Sequence, residues 1–457
     1  MINFAAIAVY TRLLSPMDYG RYSLVLAGVG LCNLVFFQWL RVSLLRFLPA
    51  HVENPRELLS AILSGFSAVG LFVGFMGPLL AWLWPDLTWR GLIGLAVPLL
   101  WAEAWFELNL ELARSKLQPL RYGLMSGLKA ASSLGLGALL VLSGLRTYGP
   151  LTGLLLGALL AGVGLSWPEW KGVRPLASSR LLPGLLRYGL PLTTTFALGF
   201  VISTSDRFII AWFLGEGPAG VYAAGYDLGQ QPLILLMTVV NLAAYPLAVR
   251  ALEHRGTEAA QAQVRKNATL LLAVAVPGAV GLAVLAPNIA GVLLGAGFRE
   301  EGALILPWVA FAILMSGVRA YHFDLAFQLG RRTIGQVWVV GPAAALNFVL
   351  NLWWIPSLGI LGAVYATAAA YLVALGLSAG LGRKVFVMRF PYAEAAKIML
   401  ATGIMAGALW PTLTYRGALP LAEQVFLGCL VYGIAALVLN VGGGRAQLLS
   451  LLRRVRA

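Results

Sequence analysis

Apolar runs of about twenty residues follow one another along almost the whole chain, separated by short polar connections. A helix of that length crosses the roughly 30 Å hydrocarbon core of a bilayer. The pattern predicts fourteen spans, at residues 1–14, 22–40, 58–84, 91–112, 121–143, 149–167, 188–213, 219–249, 267–287, 303–329, 334–355, 359–381, 396–412 and 421–441. No soluble domain fits between them. The first run is short and is expected to be a half-length helix or the remainder of a longer one. It carries neither the basic leader nor the small-residue cleavage site of a signal peptide. Prolines at 78, 98, 232, 246, 277, 307 and 342 fall inside spans, where they bend helices and free carbonyls. The pairs Gly70/Gly74, Gly123/Gly127, Gly153/Gly157 and Gly376/Gly380 have the spacing that lets helices approach closely.

Composition agrees with this pattern. Of 457 residues, 60% are hydrophobic and only 11% charged, against about a quarter charged in soluble domains. The net charge of +15 would suit nucleic acid if it formed a patch, but it is dispersed. Twenty-four of the 33 Lys and Arg residues fall in every second connection or the tail, from Arg41, Arg46 and Arg56 through Arg180 to Arg453, Arg454 and Arg456. Six lie on the other side, and Lys129, Arg207 and Arg319 lie inside spans. That alternation is the positive-inside rule, and it places both termini in the cytoplasm. Cys32 and Cys429 both sit in spans, so neither a disulfide framework nor a metal-ligand spacing is present.

The chain also repeats itself. LLSPMDYGRY from Leu13 and FLGEGPAGVY from Phe213 align Leu14 with Leu214, Gly20 with Gly220 and Tyr22 with Tyr222. An even number of spans between the copies makes the repeats parallel. The expected division is a six-helix lobe at 1–175, a second at 176–390, and two further helices with a basic tail at 391–457.

Ionisable residues inside spans cost roughly 2.5–3.5 kcal/mol each at the bilayer centre on insertion scales, so they are the candidate chemistry. Glu103, Glu107 and Glu111 share one face of the fourth span at i, i+4 spacing. Lys129 reaches about 13 Å into the fifth span at 1.5 Å per residue, a depth that suits pairing with those carboxylates. The pair either fixes helix register or forms a cation or proton site. In the seventh span Thr195, Gly199, Ser203 and Asp206 form a small polar stripe, Arg207 follows, and Asp227 lies at similar depth in the eighth. These three charges are either a structural cluster or a place where a guanidinium meets an anionic headgroup. In the tenth span Arg319 and His322 share a face, and regular helical spacing turns Asp324 away towards Gln328. No HExxH, P-loop, GxSxG or dinucleotide fingerprint occurs. The longest outer loop, about fifteen residues around Asn288–Gly302, leaves little room for a sugar-polymerising site.

The segments YTRLLSPMDYGRYSLVL, FFQWLRVSLLRFLP, YGLPLTTTFALGFVISTSDRFIIAWFLG and GVYAAGYDLGQQPL resemble bacterial polysaccharide-repeat-unit flippases. These are O-antigen-flippase-like members of the multidrug/oligosaccharidyl-lipid/polysaccharide exporter superfamily. The resemblance runs over essentially the whole chain and implies an all-α polytopic fold with two bundles around a central cavity. It also implies export of undecaprenyl-diphosphate-linked oligosaccharide across the bacterial inner membrane by alternating access. By position, Asp206 and Arg207 match the family's seventh-span Asp-Arg, and Arg12 the arginine closing its first span. The expected cavity cations are therefore Arg207, Arg319, Lys129 and Arg12. The ion-coupling candidates are Glu103, Glu107, Asp206, Asp227 and Asp324. Expected partners are the lipid-linked glycan, membrane lipids, an H⁺ or Na⁺ counter-ion and polysaccharide assembly proteins; no cofactor is expected. A drug or metabolite antiporter of the same superfamily, a membrane glycan polymerase or ligase, and a non-transporting scaffold are the rival readings.

Overall fold

The structure is a computed structural model and describes residues 2–50, 55–175, 181–332 and 334–445. Arg180, Arg453, Arg454 and Arg456 of the basic count lie outside the described residues, as does the side chain of Thr195. Among the described residues there are sixteen α-helices and no strand. In chain order they are α1 (Ile2–Leu13), α2 (Pro16–Phe47), α3 (Pro55–Leu83), α4 (Leu87–Ser115), α5 (Pro119–Leu140), α6 (Tyr148–Gly164), α7 (Trp167–Trp170) and α8 (Leu182–Leu214). They continue as α9 (Glu216–Val284), α10 (Ala286–Leu293), α11 (Arg299–Val318), α12 (Leu325–Leu329), α13 (Gly335–Leu358), α14 (Ile360–Gly382), α15 (Tyr392–Leu409) and α16 (Ala418–Val438). Among the described residues the expected spans fall mainly on helix, two of them, 219–249 and 267–287, on the single helix α9. Among the described residues ten helices are long and apolar enough to cross a membrane, with Phe4–Leu13 and Tyr148–Gly164 as shorter apolar helices. By packing, the described residues fall into two compact units, 1–220 and 221–457.

Local chemistry sets the helix ends. Ser15 caps α2, accepting from the Asp18 amide at 3.1 Å, with Pro16 in the first turn. A hydroxyl takes up an orphan amide, and proline there loses nothing. Asp86 does the same for α4, accepting from the amides of Thr88 and Trp89. All seven prolines predicted inside spans sit inside helices.

In the first unit α5 and α6 pack at backbone distance. A Cβ at Gly153 would run into the Gly137 backbone, and one at Gly157 would meet Ser133. The other glycine pairs behave differently. Gly74 lies under the Trp101 ring, whereas Gly123, Gly127, Gly376 and Gly380 face open space. Their spacing alone did not make them contacts. Helix α8 lies along α2, joined by Ser43 donating to the Leu185 carbonyl at 2.9 Å and by Gly189 seated against Trp39.

The two repeated turns meet inside this unit. A Cβ at Gly20 would overlap the Glu216 carbonyl, and one at Gly220 would overlap the Pro16 carbonyl and the Gly20 backbone. Arg21 pairs with Glu216 at 2.6 Å, and Trp89 donates to the same carboxylate at 2.7 Å.

On the side of the basic connections, Lys116 and Arg121 both donate to Glu169 of α7. Partial burial pushes this carboxyl up, but the two cations outweigh that and hold it below the ordinary value of 4.5. A depressed carboxyl adds stability above the unfolded-state pKa and loses it as pH falls through the folded-state value. The thermal stability of the wild type should therefore exceed that of a Glu169→Gln variant at pH 7. The gap should close on acidification below about pH 4.5, followed by melting in detergent. A gap that stays constant through the acid range would place the stabilisation elsewhere.

The second unit departs from expectation in two places. The connection 250–266 is not a loop: α9 runs for 69 residues, with its one non-helical backbone at Gly256, φ 83° and ψ −176°. Asn267 donates to the Ala244 carbonyl at 2.8 Å, although a straight helix would separate residues 23 apart by about 35 Å. Helix α9 therefore doubles back at Gly256, the residue type that tolerates this backbone. Its inner face, with Ala248, Ala260 and Val264, is buried with Leu325, Leu329 and Phe386. The segment 288–302, expected as a loop, is also mostly helical. Asn288 in α10 donates to Gln424 of α16 at 2.8 Å and accepts from the Gly417 amide.

Candidate functional site

The expected carboxylate face of α4 forms two ion pairs in the first unit. Lys129 of α5 donates to Glu103 at 2.5 Å, and its ammonium stands 4.5 Å from the centre of the Phe106 ring. Both side chains are mostly buried, at 20% and 13% exposure. One turn along, Glu107 pairs with Arg41 and accepts from Asn33 at 2.9 Å. Glu111, nearer the basic connection, pairs loosely with Arg114 at 3.4 Å.

Arg41 is a correction to the sequence reading. It was counted in the first basic connection, but α2 continues helical for two turns past residue 40, to Phe47. Its guanidinium is brought onto the face that meets α4. The Arg41 side chain is 13% exposed, and its Nε has no hydrogen-bond partner among the described residues. Asn33 was missed as well. An amide two i+4 steps before an arginine in the middle of a largely apolar helix was the available signal, since such steps keep to one face.

In α8, Asp206 is fully buried and Thr204 nearly so, while Arg207 beside Asp206 is half-buried. The rest of the polar stripe is less enclosed. Gly199 is exposed, and Ser203 turns its hydroxyl back to the Phe200 carbonyl at 3.1 Å. Arg12 is exposed and donates to the Ala8 carbonyl of its own helix at 2.7 Å.

In the second unit, half-buried Asp227 lies in α9 among the buried Tyr222, Tyr226 and Leu228. The expectation that Asp324 turns away from Arg319 is overturned. Residues Arg319–Phe323 form a π turn, closed by the Asp324 amide donating to the Arg319 carbonyl at 2.8 Å. Lengthening the ring to i→i+5 brings residue i+5 back over residue i, and Arg319 Nε stands 3.5 Å from the Asp324 carboxylate. Ser378 of α14 donates to the same carboxylate at 2.5 Å. His322 is 1% exposed, edge-on to Phe323 and Phe390. A further polar ladder that sequence reading missed links Asn351 to Asn347 at 3.1 Å and Asn347 to Thr367 at 3.2 Å.

Among the described residues no group of three His, Cys, Asp or Glu side chains could hold a metal ion. The arrangement is instead one of paired charges at depth in apolar helices. Breaking such a pair exposes one cation and one carboxylate, which suits exchange of an anion for a small cation.

Comparisons with known proteins agree with this architecture. The sequence profile of the polysaccharide biosynthesis protein family matches residues 9–301. A probable low-salt glycan biosynthesis flippase of Haloferax volcanii, Agl15, is 22% identical over 94% of this chain and 91% of its own length. The lipid II flippase MurJ in an inward closed conformation superposes with a TM-score of 0.81 at 15% identity, over 96% of both chains. An inward-facing multidrug resistance MATE transporter of the MOP superfamily gives 0.61 at 14% identity, over 84% of this chain and 93% of the other. At those identities the structural matches speak for the fold.

Proposed function

The chain belongs to the polysaccharide biosynthesis protein family, and from that premise we propose that it is a flippase for a lipid-linked glycan. The cargo is a polyprenyl-diphosphate-linked oligosaccharide repeat unit, carried across the bacterial inner membrane by alternating access between the lobes at 1–175 and 176–390. Residues 391–457 add two helices and a basic tail, and both termini face the cytoplasm. The relative named as a glycan biosynthesis flippase supports this class of cargo.

The observation that carries the reading is the charged face between α2, α4 and α5. Arg41 and Lys129 sit within apolar helices, each held by one carboxylate, and the buried Arg41 Nε has no hydrogen-bond partner among the described residues. A buried guanidinium N–H left unsatisfied suits a phosphate, which such a group binds as a planar fork. Arg207, Arg319 and Arg12 are the further candidate cations. Moving each negative charge outward gains about 2.3 kcal/mol per 100 mV of inside-negative potential. Glu103, Glu107, Asp206, Asp227 and Asp324 are the candidates to carry the H⁺ or Na⁺ that resets the carrier.

Reconstitution with a labelled lipid-linked oligosaccharide tests the reading directly: the protein is expected to speed its appearance in the outer leaflet, and a rate equal to empty vesicles would end it. In the same vesicles Glu107→Gln keeps the Asn33 hydrogen bond but removes the charge facing Arg41. Its rate should lose most of the wild type's dependence on pH or sodium. An unchanged pH and sodium profile would take Glu107 out of coupling.

A further inference from the structure

The second unit holds a cavity of about 900 Å³ that the transport reading does not use. It lies where the two legs of the α9 hairpin face the start of α15 and the turn at 441–444. One wall is apolar and continues from the spans: Leu247 and Leu270, one from each leg, are both 49% exposed there. The rim is basic, with Arg265, Lys266 and Arg389 all exposed. The lining carries one carboxylate, Glu394, which accepts from the Gly442 amide at 2.6 Å and from Lys397 at 2.8 Å. It thereby ties the turn to α15. Three cations against one carboxylate leave the lining positive.

We propose that this cavity binds an anionic diacyl phospholipid of the leaflet on the basic side. Its phosphate would sit on Arg265, Lys266 and Arg389, and its chains along Leu247 and Leu270. The volume is that of a ligand pocket. The pairing of apolar wall with basic rim matches a molecule with an anionic head and a greasy tail at the interface of a bilayer. A free phosphate would leave the apolar wall uncovered, and a neutral lipid would leave the cations unmatched. The hairpin is what creates the site. Without the reversal at Gly256, Leu247 and Arg265 would lie about 27 Å apart along one straight helix. This site is independent of what the protein transports, so the transport assay and the lipid assay can fail separately.

The test is native mass spectrometry of the purified full chain in neutral detergent, with added phosphatidylglycerol, phosphatidylcholine or inorganic phosphate. With two net positive charges, each giving about a fivefold preference, phosphatidylglycerol should be held about thirtyfold more tightly than phosphatidylcholine. Excess inorganic phosphate should not displace it. An Arg265→Gln, Lys266→Gln, Arg389→Gln variant should lose the preference. A Leu247→Trp, Leu270→Trp variant should lose the bound lipid with every charge intact. Both alter exposed positions, and their melting temperatures are read on the same samples to show that they fold. Equal phosphatidylglycerol binding by the wild type and the Gln variant would overturn the proposal. So would displacement by phosphate alone, or preferential displacement by a polyprenyl diphosphate, which would make the cavity a cargo site.

Discussion

Replacing Arg207 and Arg319 together with alanine is expected to slow translocation of a lipid-linked oligosaccharide in proteoliposomes by about thirtyfold or more. Both arginines lie deep in apolar helices, where a charge left without a partner is costly. Arg207 follows the fully buried Asp206 in α8, and Arg319 leans on Asp324 through the π turn, with its side chain only 14% exposed. A diphosphate entering such surroundings gives up its water, and a guanidinium fork replaces two hydrogen bonds at once. Truncating one partner of a buried charged pair costs about 2–5 kcal/mol, which sets the size of the effect. Lysine at both positions should recover only part of the rate, because it restores the charge but not the fork. Ser378 donates to Asp324 and is untouched by these substitutions, and the fold of each variant is checked by melting in detergent. A double alanine variant that transports at the wild-type rate would remove both arginines from substrate handling.

The largest effect on stability should come from Gly20→Val. The added Cβ falls on the Glu216 carbonyl and close to the Gly220 amide, so backbone meets backbone and no rotamer relieves the clash. Overpacking by a few carbons typically costs about 1–3 kcal/mol, occasionally more, and here the shift would also separate Arg21 from Glu216. The variant should accumulate in membranes at a small fraction of the wild-type level and melt at a lower temperature. Gly28→Ala is the control in the same helix, where no atom lies within 4 Å of the new Cβ. It should accumulate normally. Normal yield and melting of Gly20→Val would show that the two turns are not locked together.

How much of this was readable beforehand depends on the range of each interaction. The Ser15–Pro16 start of α2 is written in four adjacent residues, yet a span expected from residue 22 passes over it, because the polar first turn lies outside the apolar run. Gly20 and Gly220 were visible as a repeat, but only folding shows that the two copies touch. The Lys129–Glu103 pair was within reach of depth arithmetic, because α4 and α5 are antiparallel neighbours. Arg41 was not, since a hydropathy window ends a span where polar residues begin, while the helix continues to Phe47. The same bias hid the α9 hairpin. Residues 250–266 are polar enough to read as a loop, yet rich in Ala, Glu, Gln and Arg, which favour helix. The π turn was invisible to any reading with a fixed period, and it reverses the expected direction of Asp324.

By itself, then, the sequence determined a polytopic all-helical membrane protein, most of the places where its helices fall and the small set of charges buried within it. Those properties follow from composition and from contacts within a few residues, where the cost of hydrocarbon exposure leaves little freedom. Tertiary structure alone decided which carboxylate meets which cation, that the two repeated turns close on each other, and that a hairpin frames a cavity with a basic rim. Pairing of that kind depends on how far each helix runs past the membrane and on single departures from regular geometry at Gly256 and Arg319. No pattern of hydrophobic and polar positions encodes either.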